Sequence, residues 1–518
     1  MPRLSSIKET KVASGQLRDN GLQLNLSLDP HCALSLQTQL FEQVRELILS
    51  GVLKGGVALP PSRHLAHRYR LSRNTVSLAY DRLTTEGYAR ARGTAGVFVC
   101  EVLPEETLLI AGVPQKRPPD LPQGQDAEPV LCFAGSPGGD NDRPAIDFWV
   151  GRSDPALFPL RTWRSLINKR LASGPAHFTD YSDPAGLPEL REAIADHLAQ
   201  ARGMHVSPDQ IIVTNGGQDA LNLIYRLVAN RTSQLCIENP CYLGASFLFQ
   251  STGKKIIAVP VDEDGLRVHE LPKTHGNLLY VTPSHQFPTG ATLTLKRRIA
   301  VLQWAQETDS TIIEDDYDSD FRYDGPPQTA LAGLDRSHKV FYMGTFSKSV
   351  GAGLRLGFAV LPQEHWNKAR MLKAQMSNGQ SWLEQAVLAD FLAQGHFHRH
   401  LRRLQQVYKS RRDCLVNALT ETFECPVLSG TAGGLHLTWR LPQNSPPAST
   451  VQINARQNGV GVYSLRSGAS FDFNSTMRDD TLLFGYSSIQ ECDIARAVRE
   501  LHQILERARP ARSAVAGE

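Results

Sequence analysis

Two hydrophobic periodicities follow one another along the chain, and each predicts a different kind of domain. Between residues 35 and 103, apolar positions recur at helical spacing, first in one segment and then in a helix-turn-helix pattern with Leu71 at the turn. The apolar faces of the first and third predicted helices comprise Leu40, Val44, Leu47, Ile48, Val76, Ala79, Tyr80 and Leu83. Two short strands around Gly93 and Gly96 follow, so the pattern predicts a small helical domain with a β wing.

From about Pro144 onward, helical segments alternate with short apolar strands such as QIIVT, NLLYVTP, STIIED and KVFYMG. This alternation predicts an α/β domain with a mainly parallel sheet. Six prolines between Pro104 and Pro129 indicate a linker before it, because proline restricts the backbone. The predicted divisions are a flexible arm (1–34), the helical domain (35–103), the linker (104–143), the α/β domain (144–506) and a disordered tail (507–518).

Composition narrows the class of protein. The chain has 518 residues, of which 41% are hydrophobic and 21% charged, as expected for a globular protein of two or three domains. We expect a cytoplasmic protein without a membrane partner, because the sequence shows neither an apolar run of membrane-spanning length nor a secretory signal. Its eight cysteines are scattered, and without a Cys/His cluster at ligand spacing we predict no metal site.

Charge concentrates in the helical domain and points to a polyanion. Residues 35–103 hold nine Lys or Arg against five Asp or Glu, whereas the whole chain has a net charge of only +3. Ser62 and Ser72 are expected to cap the two helices of the helix-turn-helix. The start of the second helix then exposes Arg73, Asn74, Thr75 and Ser77, and the wing carries Arg90 and Arg92. An ordinary solvated basic face is the alternative interpretation.

The joint pattern over residues 36–100 resembles the winged helix-turn-helix of the GntR superfamily. That resemblance implies binding to double-stranded operator DNA, with Arg63, Arg73 and Thr75 as contacts. The family usually has Ser-Ser-Arg where this chain has Pro61-Ser62-Arg63, and the substitution retains the arginine.

A second group of residues fits the chemistry of pyridoxal 5′-phosphate (PLP), which requires a lysine, a carboxylate, phosphate donors and an aromatic cover. In YMGTFSKSVGAGLRLG, Lys348 follows an apolar strand, with hydroxyls at Thr345 and Ser347 and a guanidinium at Arg355. A lysine that is only a surface charge rarely lies among small and hydroxyl residues directly after a buried strand. We predict that Lys348 forms the Schiff base with PLP, and that the other three residues also contact the cofactor.

The carboxylate comes from the segment STIIEDDYDSDF. Residues i and i+2 of a strand share a face, so Asp315 and Tyr317 point one way and Asp316 the other. Asp315 can then pair with the pyridine nitrogen and Tyr317 with the ring oxygen. A metal-binding acidic cluster is the alternative, disfavoured because consecutive acids do not share one face.

The segments IIVTNGGQDALNL and ENPCYLGA complete the set. Gly216, Gly217 and Gln218 place free N–H groups at a predicted helix N-terminus, which suits a phosphate, although a plain strand-to-helix turn would look the same. Tyr242 offers an aromatic cover for the ring. Together the motifs resemble fold type I aminotransferases over residues 145–506, which implies a mainly parallel sheet with a smaller α+β subdomain.

Two departures from that family bear on function. Phe287 in PSHQFPTG replaces the usual asparagine of Asn-Pro-Thr-Gly, which touches the cofactor oxygen and the substrate carboxylate. The form is similar to that of MocR/GabR-type regulators, which fuse a GntR winged helix to this fold. Leu243 stands where GabR-like proteins have an arginine for the ligand carboxylate. Arg466 is then the best remaining anion anchor for the effector, or a solvated loop charge.

The resemblance implies a homodimeric, PLP-dependent transcriptional regulator that senses a small amine or amino acid by external aldimine formation. The alternative is a PLP-dependent aminotransferase with an appended DNA-binding domain. A DNA-binding protein whose larger domain no longer holds PLP is disfavoured by Lys348 and Asp315. We expect any transamination to be a slow half-reaction, because Phe287 and Leu243 remove potential substrate anchors.

Overall fold

The computed structural model describes residues 24–30, 32, 34–103, 143–325, 328–473 and 477–508. The chain divides into two units, Met1–Pro129 and Val130–Glu518, and each is described by itself. Most of the predicted arm, all but the last residue of the predicted linker and most of the predicted tail lie outside the described residues. Within the described part, no helix combines the length and apolar character that a membrane-spanning segment requires.

The smaller unit is a three-helix domain with a β wing, as the hydrophobic pattern predicts. Its elements are α1 (Leu36–Leu49), α2 (Ser62–Arg68), α3 (Arg73–Thr85), β1 (Ala89–Ala91) and β2 (Val97–Val99). β1 and β2 pair antiparallel, with Arg90 opposite Phe98. Phe41, Val44, Val76 and Leu83 are fully buried where α1 packs on α3.

The two predicted helix caps have different outcomes. Ser72 caps α3 as predicted, since its hydroxyl accepts a hydrogen bond from the Thr75 amide at 3.0 Å. The predicted Ser62 cap is wrong, because Ser62 is already the first residue of α2 and Pro61 occupies the cap position without a side-chain bond.

Residues 24–29, part of the predicted flexible arm, instead pack on the smaller unit. Leu24 is buried in the core of that unit. The Tyr69 hydroxyl donates to the Leu24 carbonyl and accepts from the Leu26 amide at 3.1 Å. The sequence pattern misses this segment because its order comes from tertiary hydrogen bonds and not from a periodicity of its own.

An eight-stranded sheet organises the larger unit, in the order β4-β12-β11-β10-β9-β5-β7-β8. Neighbours from β11 through to β7 run parallel, while β12 and β8 are antiparallel to their neighbours. The strands are β4 (Ile211–Thr214), β5 (Gln234–Asn239), β7 (Ile256–Asp262), β8 (Gly265–Leu266), β9 (Asn277–Val281), β10 (Thr311–Asp316), β11 (Val340–Thr345) and β12 (Gly357–Val360). The predicted mainly parallel sheet is confirmed.

Helices cover this sheet and lead into a second layer. They are α4 (Leu160–Leu171), α5 (Ala176–Thr179), α6 (Pro188–Arg202), α7 (Gly217–Val228), α8 (Leu243–Gln250), α9 (Leu295–Glu307), α10 (Leu331–Leu334), α11 (Trp366–Ser377) and α12 (Trp382–Ala393). The amphipathic α7 buries Leu223, Ile224 and Leu227 in a cluster shared with β4, β5, β9 and β11. The strand-to-helix turn before α7 is thereby held at the sheet edge.

The carboxyl-terminal part forms the smaller α+β subdomain that the family resemblance implies. A four-stranded antiparallel sheet takes the order β13-β14-β18-β16 and packs with three helices. These elements are α13 (His396–Thr422), β13 (Val427–Ser429), β14 (His436–Arg440), α14 (Ala448–Gln457), β16 (Tyr463–Ser464), β18 (Thr481–Gly485) and α15 (Glu491–Ala508). Two further pairs of two-residue strands complete the unit. β3 (Ile146–Asp147) and β15 (Val460–Gly461) are parallel, whereas β6 (Cys241–Tyr242) and β17 (Ser470–Phe471) are antiparallel.

We predict that Tyr69→Phe releases residues 24–29 from the smaller unit. The variant loses one hydroxyl that bonds to two backbone groups. Loss of about 1 kcal/mol of hydrogen-bond free energy would accelerate amide exchange of Leu26 roughly fivefold. Hydrogen exchange of the full-length protein, followed by mass spectrometry, measures this. Tyr181→Phe, at a side chain that is 88% exposed, is the control. Unchanged exchange at Leu26 in Tyr69→Phe would contradict the prediction.

Candidate functional site

Six strands of the large sheet, β4, β5, β7, β9, β10 and β11, run in the same direction, so their carboxyl ends meet at one edge. The segments after β4, β5, β10 and β11 carry the residues proposed from sequence for PLP. These are Gly216, Gly217, Gln218, Tyr242, Asp315, Tyr317, Thr345, Ser347, Lys348 and Arg355. The parallel topology therefore brings one group of distant motifs to a single edge.

The two aspartates at the end of β10 face opposite sides, as strand alternation predicts. Asp315 accepts a hydrogen bond from the Tyr280 hydroxyl at 2.6 Å and has no ion-pair partner within the described residues. Burial raises the pKa of Asp315 to about 7. Asp316 instead pairs with the Arg202 guanidinium at 2.7 Å and accepts from the Tyr342 hydroxyl. Asp316 is thus neutralised by structural partners, whereas no cation of the described residues is in contact with the Asp315 carboxyl.

Lys348 lies in a π-helical turn, Ser347–Gly351, directly after β11. Its Nζ donates to the Gly151 carbonyl at 3.0 Å, and a Cβ on Gly151 would lie 2.5 Å from Nζ. Burial lowers the pKa of the Lys348 amine, while the charges of Asp318 and Asp315 act in the opposite direction. A buried amine with a lowered pKa is closer to the neutral, nucleophilic form than a surface lysine is.

The turn between β4 and α7 forms a backbone cradle that Arg355 adjoins. Arg355 donates to the Asn215 carbonyl at 2.8 Å, and a Cβ on Gly216 would lie 3.0 Å from its guanidinium. Gly216 has φ +80° and precedes the first residue of α7, so the free amides of the helix begin here. The Thr345 hydroxyl lies 2.9 Å from that of Ser347 and accepts from the Ser347 amide. Amides, a guanidinium and hydroxyls are the donors that phosphate requires.

Aromatic rings make another wall of the site. Phe287 contacts both Tyr242 and Tyr317 edge-to-face, with centroids 6.1 Å apart in each pair. The Gln218 side chain donates to the Gly244 carbonyl at 3.1 Å, which leaves its backbone amide as its contribution to the cradle. Leu243, the first residue of α8, is buried. Phe287 therefore lies between the two tyrosines proposed for cofactor contact.

A hydrogen-bonded group behind Tyr317 was missed in the sequence interpretation. The Tyr317 hydroxyl donates to the His285 carbonyl at 3.0 Å, and His285 Nδ1 lies 2.9 Å from Asp318 Oδ2. His436 lies against His285 with ring centroids 4.4 Å apart, and burial lowers its pKa well below the usual value. Candidate ligand atoms of His285, Asp318 and His436 lie within 4.8 Å of one another. The histidine of PSHQFPTG was the available signal, but its partners come from distant segments.

The smaller unit presents its proposed DNA contacts on the surface. Arg63, Arg73, Asn74 and Arg92 are exposed, while Thr75 and Ser77 are half-buried at the start of α3. Within the described part of the chain, Arg63 and Arg73 have no ion-pair or hydrogen-bond partner. The Arg92 guanidinium lies over the Phe98 ring, 4.8 Å from its centroid. These arginines are available to an external anion.

Comparison with known proteins identifies both units. Residues 36–99 match the family "Bacterial regulatory proteins, gntR family", and residues 147–457 match "Aminotransferase class I and II". The "Probable rhizopine catabolism regulatory protein MocR" of Rhizobium meliloti is 34% identical over 76% of this chain and 78% of its own. The "HTH-type pyridoxine biosynthesis transcriptional regulator PdxR" of Corynebacterium glutamicum is 32% identical over 92% and 98%.

The chain belongs to the MocR/GabR subfamily of transcriptional regulators. It is a DNA-binding regulator with an aminotransferase-like domain, and an enzyme with an incidental DNA-binding module is not favoured. Among solved structures, an archaeal alanine:glyoxylate aminotransferase aligns with a TM-score of 0.64 and 27% identity, covering 70% of this chain and 91% of its own. The fold of this MocR-type regulator therefore implies PLP as its cofactor.

The residues present fit that cofactor. Asp315 is a buried acid with no cation in contact among the described residues, and a protonated pyridine nitrogen would provide one. The missing Cβ of Gly216 lets the Arg355 guanidinium approach the turn whose backbone amides would bind the phosphate. Arg466, proposed as an effector anchor, donates to the Met477 carbonyl, and its Nε lies 3.7 Å from Asp472. In this MocR-type regulator Arg466 is thus engaged by the protein itself.

We predict that Asp315→Asn stabilises the cofactor-free protein at pH 8. Burial raises the pKa of Asp315 from its ordinary value of 3.8 to about 7, so its ionisation opposes folding progressively as pH rises between these values. Asparagine preserves an acceptor for Tyr280 and should raise stability by on the order of 2–4 kcal/mol at pH 8, and by less at pH 5. Thermal unfolding at both pH values measures this.

Asp316→Asn is the matched control, because it removes the partner of buried Arg202 and should lower Tm. Asp315→Asn should be the more stable of the two variants without cofactor, but it should bind added PLP more weakly than Asp316→Asn does. A lower Tm for Asp315→Asn than for wild type at pH 8 would contradict the assignment of Asp315 as the uncompensated acid.

Proposed function

We propose that this regulator binds PLP at the carboxyl edge of its large sheet and senses a small primary amine there. The observation that carries the proposal is the convergence of three groups at that edge: the unpaired acid Asp315, the buried amine of Lys348 and the Gly216 cradle beside Arg355. Each group matches one part of the cofactor. The same chain carries a winged helix. Binding of the amine would therefore control how this regulator binds DNA.

In this proposal Lys348 holds the aldehyde carbon, and Asp315 keeps a proton on the ring nitrogen. When bound, PLP supplies an aldehyde that reacts reversibly with amines and a ring that withdraws electrons. Tyr317 contacts the ring oxygen, and Tyr242 covers the ring face. The phosphate contacts are the amides of Gly216, Gly217 and Gln218, the hydroxyls of Thr345 and Ser347, and the Arg355 guanidinium.

When it is not linked to the cofactor, the Lys348 amine has a hydrogen-bond partner in the protein. The free Nζ can donate to the Gly151 carbonyl, the contact that exists at 3.0 Å. Gly151 closely follows β3, the first strand of the larger unit. Whether Lys348 holds the cofactor or is free would thus change a hydrogen bond to the segment that follows β3, and an effector can bias a two-state protein only through such a difference.

We further propose a cytoplasmic homodimer that binds a two-part operator. Two linked winged helices gain from effective concentration, so a dimer binds a repeated site more tightly than one module binds half of it. The free guanidiniums of Arg63 and Arg73 provide the base or phosphate contacts, and Asn74, Thr75, Ser77 and Arg92 surround them.

We predict that PLP is fixed to wild-type protein by borohydride and that Lys348→Ala abolishes this. The covalent link that borohydride fixes forms between the cofactor aldehyde and the neutral amine of a lysine, and burial favours the neutral form of Lys348. Visible absorption before reduction and intact mass after denaturation measure the outcome. Lys273→Ala, at an exposed lysine, is the control. Retention of reducible PLP by Lys348→Ala would contradict the assignment.

The same preparation distinguishes sensing from catalysis. Incubation with amino acids and a keto acid acceptor should give little or no turnover. Phe287 places an aromatic ring between Tyr242 and Tyr317, where aminotransferases usually have an asparagine that contacts the substrate carboxylate. Sustained turnover on the order of 1–1000 per second would favour the aminotransferase alternative.

We predict that Arg63→Ala and Arg73→Ala each weaken binding to the regulator's own upstream DNA by about 1–3 kcal/mol. The reason is the loss of a guanidinium that has no partner within the described part of the protein. Arg45→Ala removes the same charge from the same unit but breaks an ion pair with Glu42, so it is the control. Equal losses on specific and random DNA would show that the two arginines contact phosphate alone.

A further inference from the structure

A cluster of buried apolar side chains lies close to Lys348, through the segment that contains Gly151. Five residues, each less than one-tenth exposed, form a hydrophobic cluster that we call the apolar wall: Trp149, Phe287, Tyr463, Leu465 and Leu483. Val150, Tyr242, Tyr317, Ala469 and Met477 pack against it. Two of these partners, Tyr242 and Tyr317, are proposed cofactor contacts, so the wall borders the cofactor site directly.

The wall reaches the reacting amine through the backbone of residues 149–151. Gly151 accepts the Lys348 hydrogen bond, and it follows Trp149 and Val150 in the chain. On the other side, Leu483 belongs to β18, where the next residue but one, Gly485, packs against Val150 with no room for a Cβ. The carbonyl that accepts from the Lys348 amine therefore belongs to the same short segment as Trp149 of the wall.

Charges around the site do not favour an acidic effector. The carboxylates of Asp318 and Asp315 act on Lys348 from the sheet edge. Among the described residues, nearby arginines have other partners: Arg152 pairs with Asp147 at 2.8 Å and Arg466 lies 3.7 Å from Asp472, while Arg355 is assigned to the cofactor phosphate in the proposed function. A carboxylate against the wall would lose its hydration without gaining a cation, which is costly, whereas an apolar group gains by burial.

We propose that the effector is a primary amine with an apolar body and no acid group. This inference rests on the proposed function, because it concerns the same cofactor site. It names the class of ligand that the wall selects, and it places Leu483 and Phe287 as the residues that determine specificity.

Spectral titration of PLP-loaded, full-length protein with matched pairs tests the proposal. The pairs are 2-phenylethylamine against phenylalanine and 3-methylbutylamine against leucine, which differ only in the carboxylate. Compared at equal concentrations of unprotonated amine, the amine should give its half-maximal spectral change at a concentration at least about tenfold lower. Equal or tighter binding of the amino acids would overturn the proposal.

Leu483→Arg provides the sharper arm, since it adds a cation to the wall. It should reduce the preference for the amine about tenfold or reverse it, while Leu483→Met keeps the wild-type ratio. If Leu483→Arg fails to fold, Phe287→Asn, which brings an amide into the wall, should also shift the ratio toward the amino acid. An unchanged ratio in the folded arginine variant, or in Phe287→Asn, would overturn the proposal.

Two further outcomes separate this inference from the proposed function. A PLP-loaded protein whose spectrum responds to neither member of any pair would overturn the inference and leave the cofactor assignment standing. A protein that acquires no PLP absorption at all would overturn the proposed function itself, and the inference with it.

Discussion

A buried carboxyl with no cation in contact, among the residues that the structure describes, is the electrostatic constraint on which the candidate site of the larger unit depends. Asp315 lies at the sheet edge with only the Tyr280 hydroxyl as its hydrogen-bond partner among the described residues, and burial raises its pKa to about 7. Lys348 is buried nearby, with its pKa lowered. Neither group is well solvated, and the arrangement becomes favourable when a third group supplies a cation to the acid and an electrophile to the amine.

Strand alternation separates the acid proposed for cofactor binding from a structural one. Asp315 and Asp316 are adjacent, yet one faces the site and the other pairs with Arg202 and Tyr342 on the opposite side. A carboxylate compensated within the protein stabilises the fold, whereas an uncompensated one favours a ligand. Tyr317, two residues beyond Asp315, extends the site. Its hydroxyl donates to the His285 carbonyl, and the His285 ring is hydrogen-bonded to Asp318.

The family relationship and the geometry address different questions. The family establishes a regulator in which a winged helix is joined to an aminotransferase-like fold. The details of the site concern which compound is sensed, because the fold hosts many chemistries. Phe287 and Leu483 make the region beside Lys348 apolar, and the surrounding arginines are engaged by the protein. In the proposed effector site, specificity depends on these side chains.

The sequence by itself determined the winged helix, the α/β body and the residues grouped around Lys348. Helical and strand periods are local properties, and Asp315, Tyr317 and Asp316 were placed on faces by the two-residue period of a strand. Ser72 was recognisable as a cap because its hydroxyl acts three residues away.

Tertiary structure alone decided the contacts between distant segments. Tyr280 meets Asp315, His285 meets Asp318 and His436, and Gly151 meets Lys348 across separations that carry no periodic signal. The order of residues 24–29 similarly depends on one tyrosine hydroxyl more than forty residues away. Local patterns specify which face a side chain occupies, but only the packing of the whole chain specifies which partner that face meets.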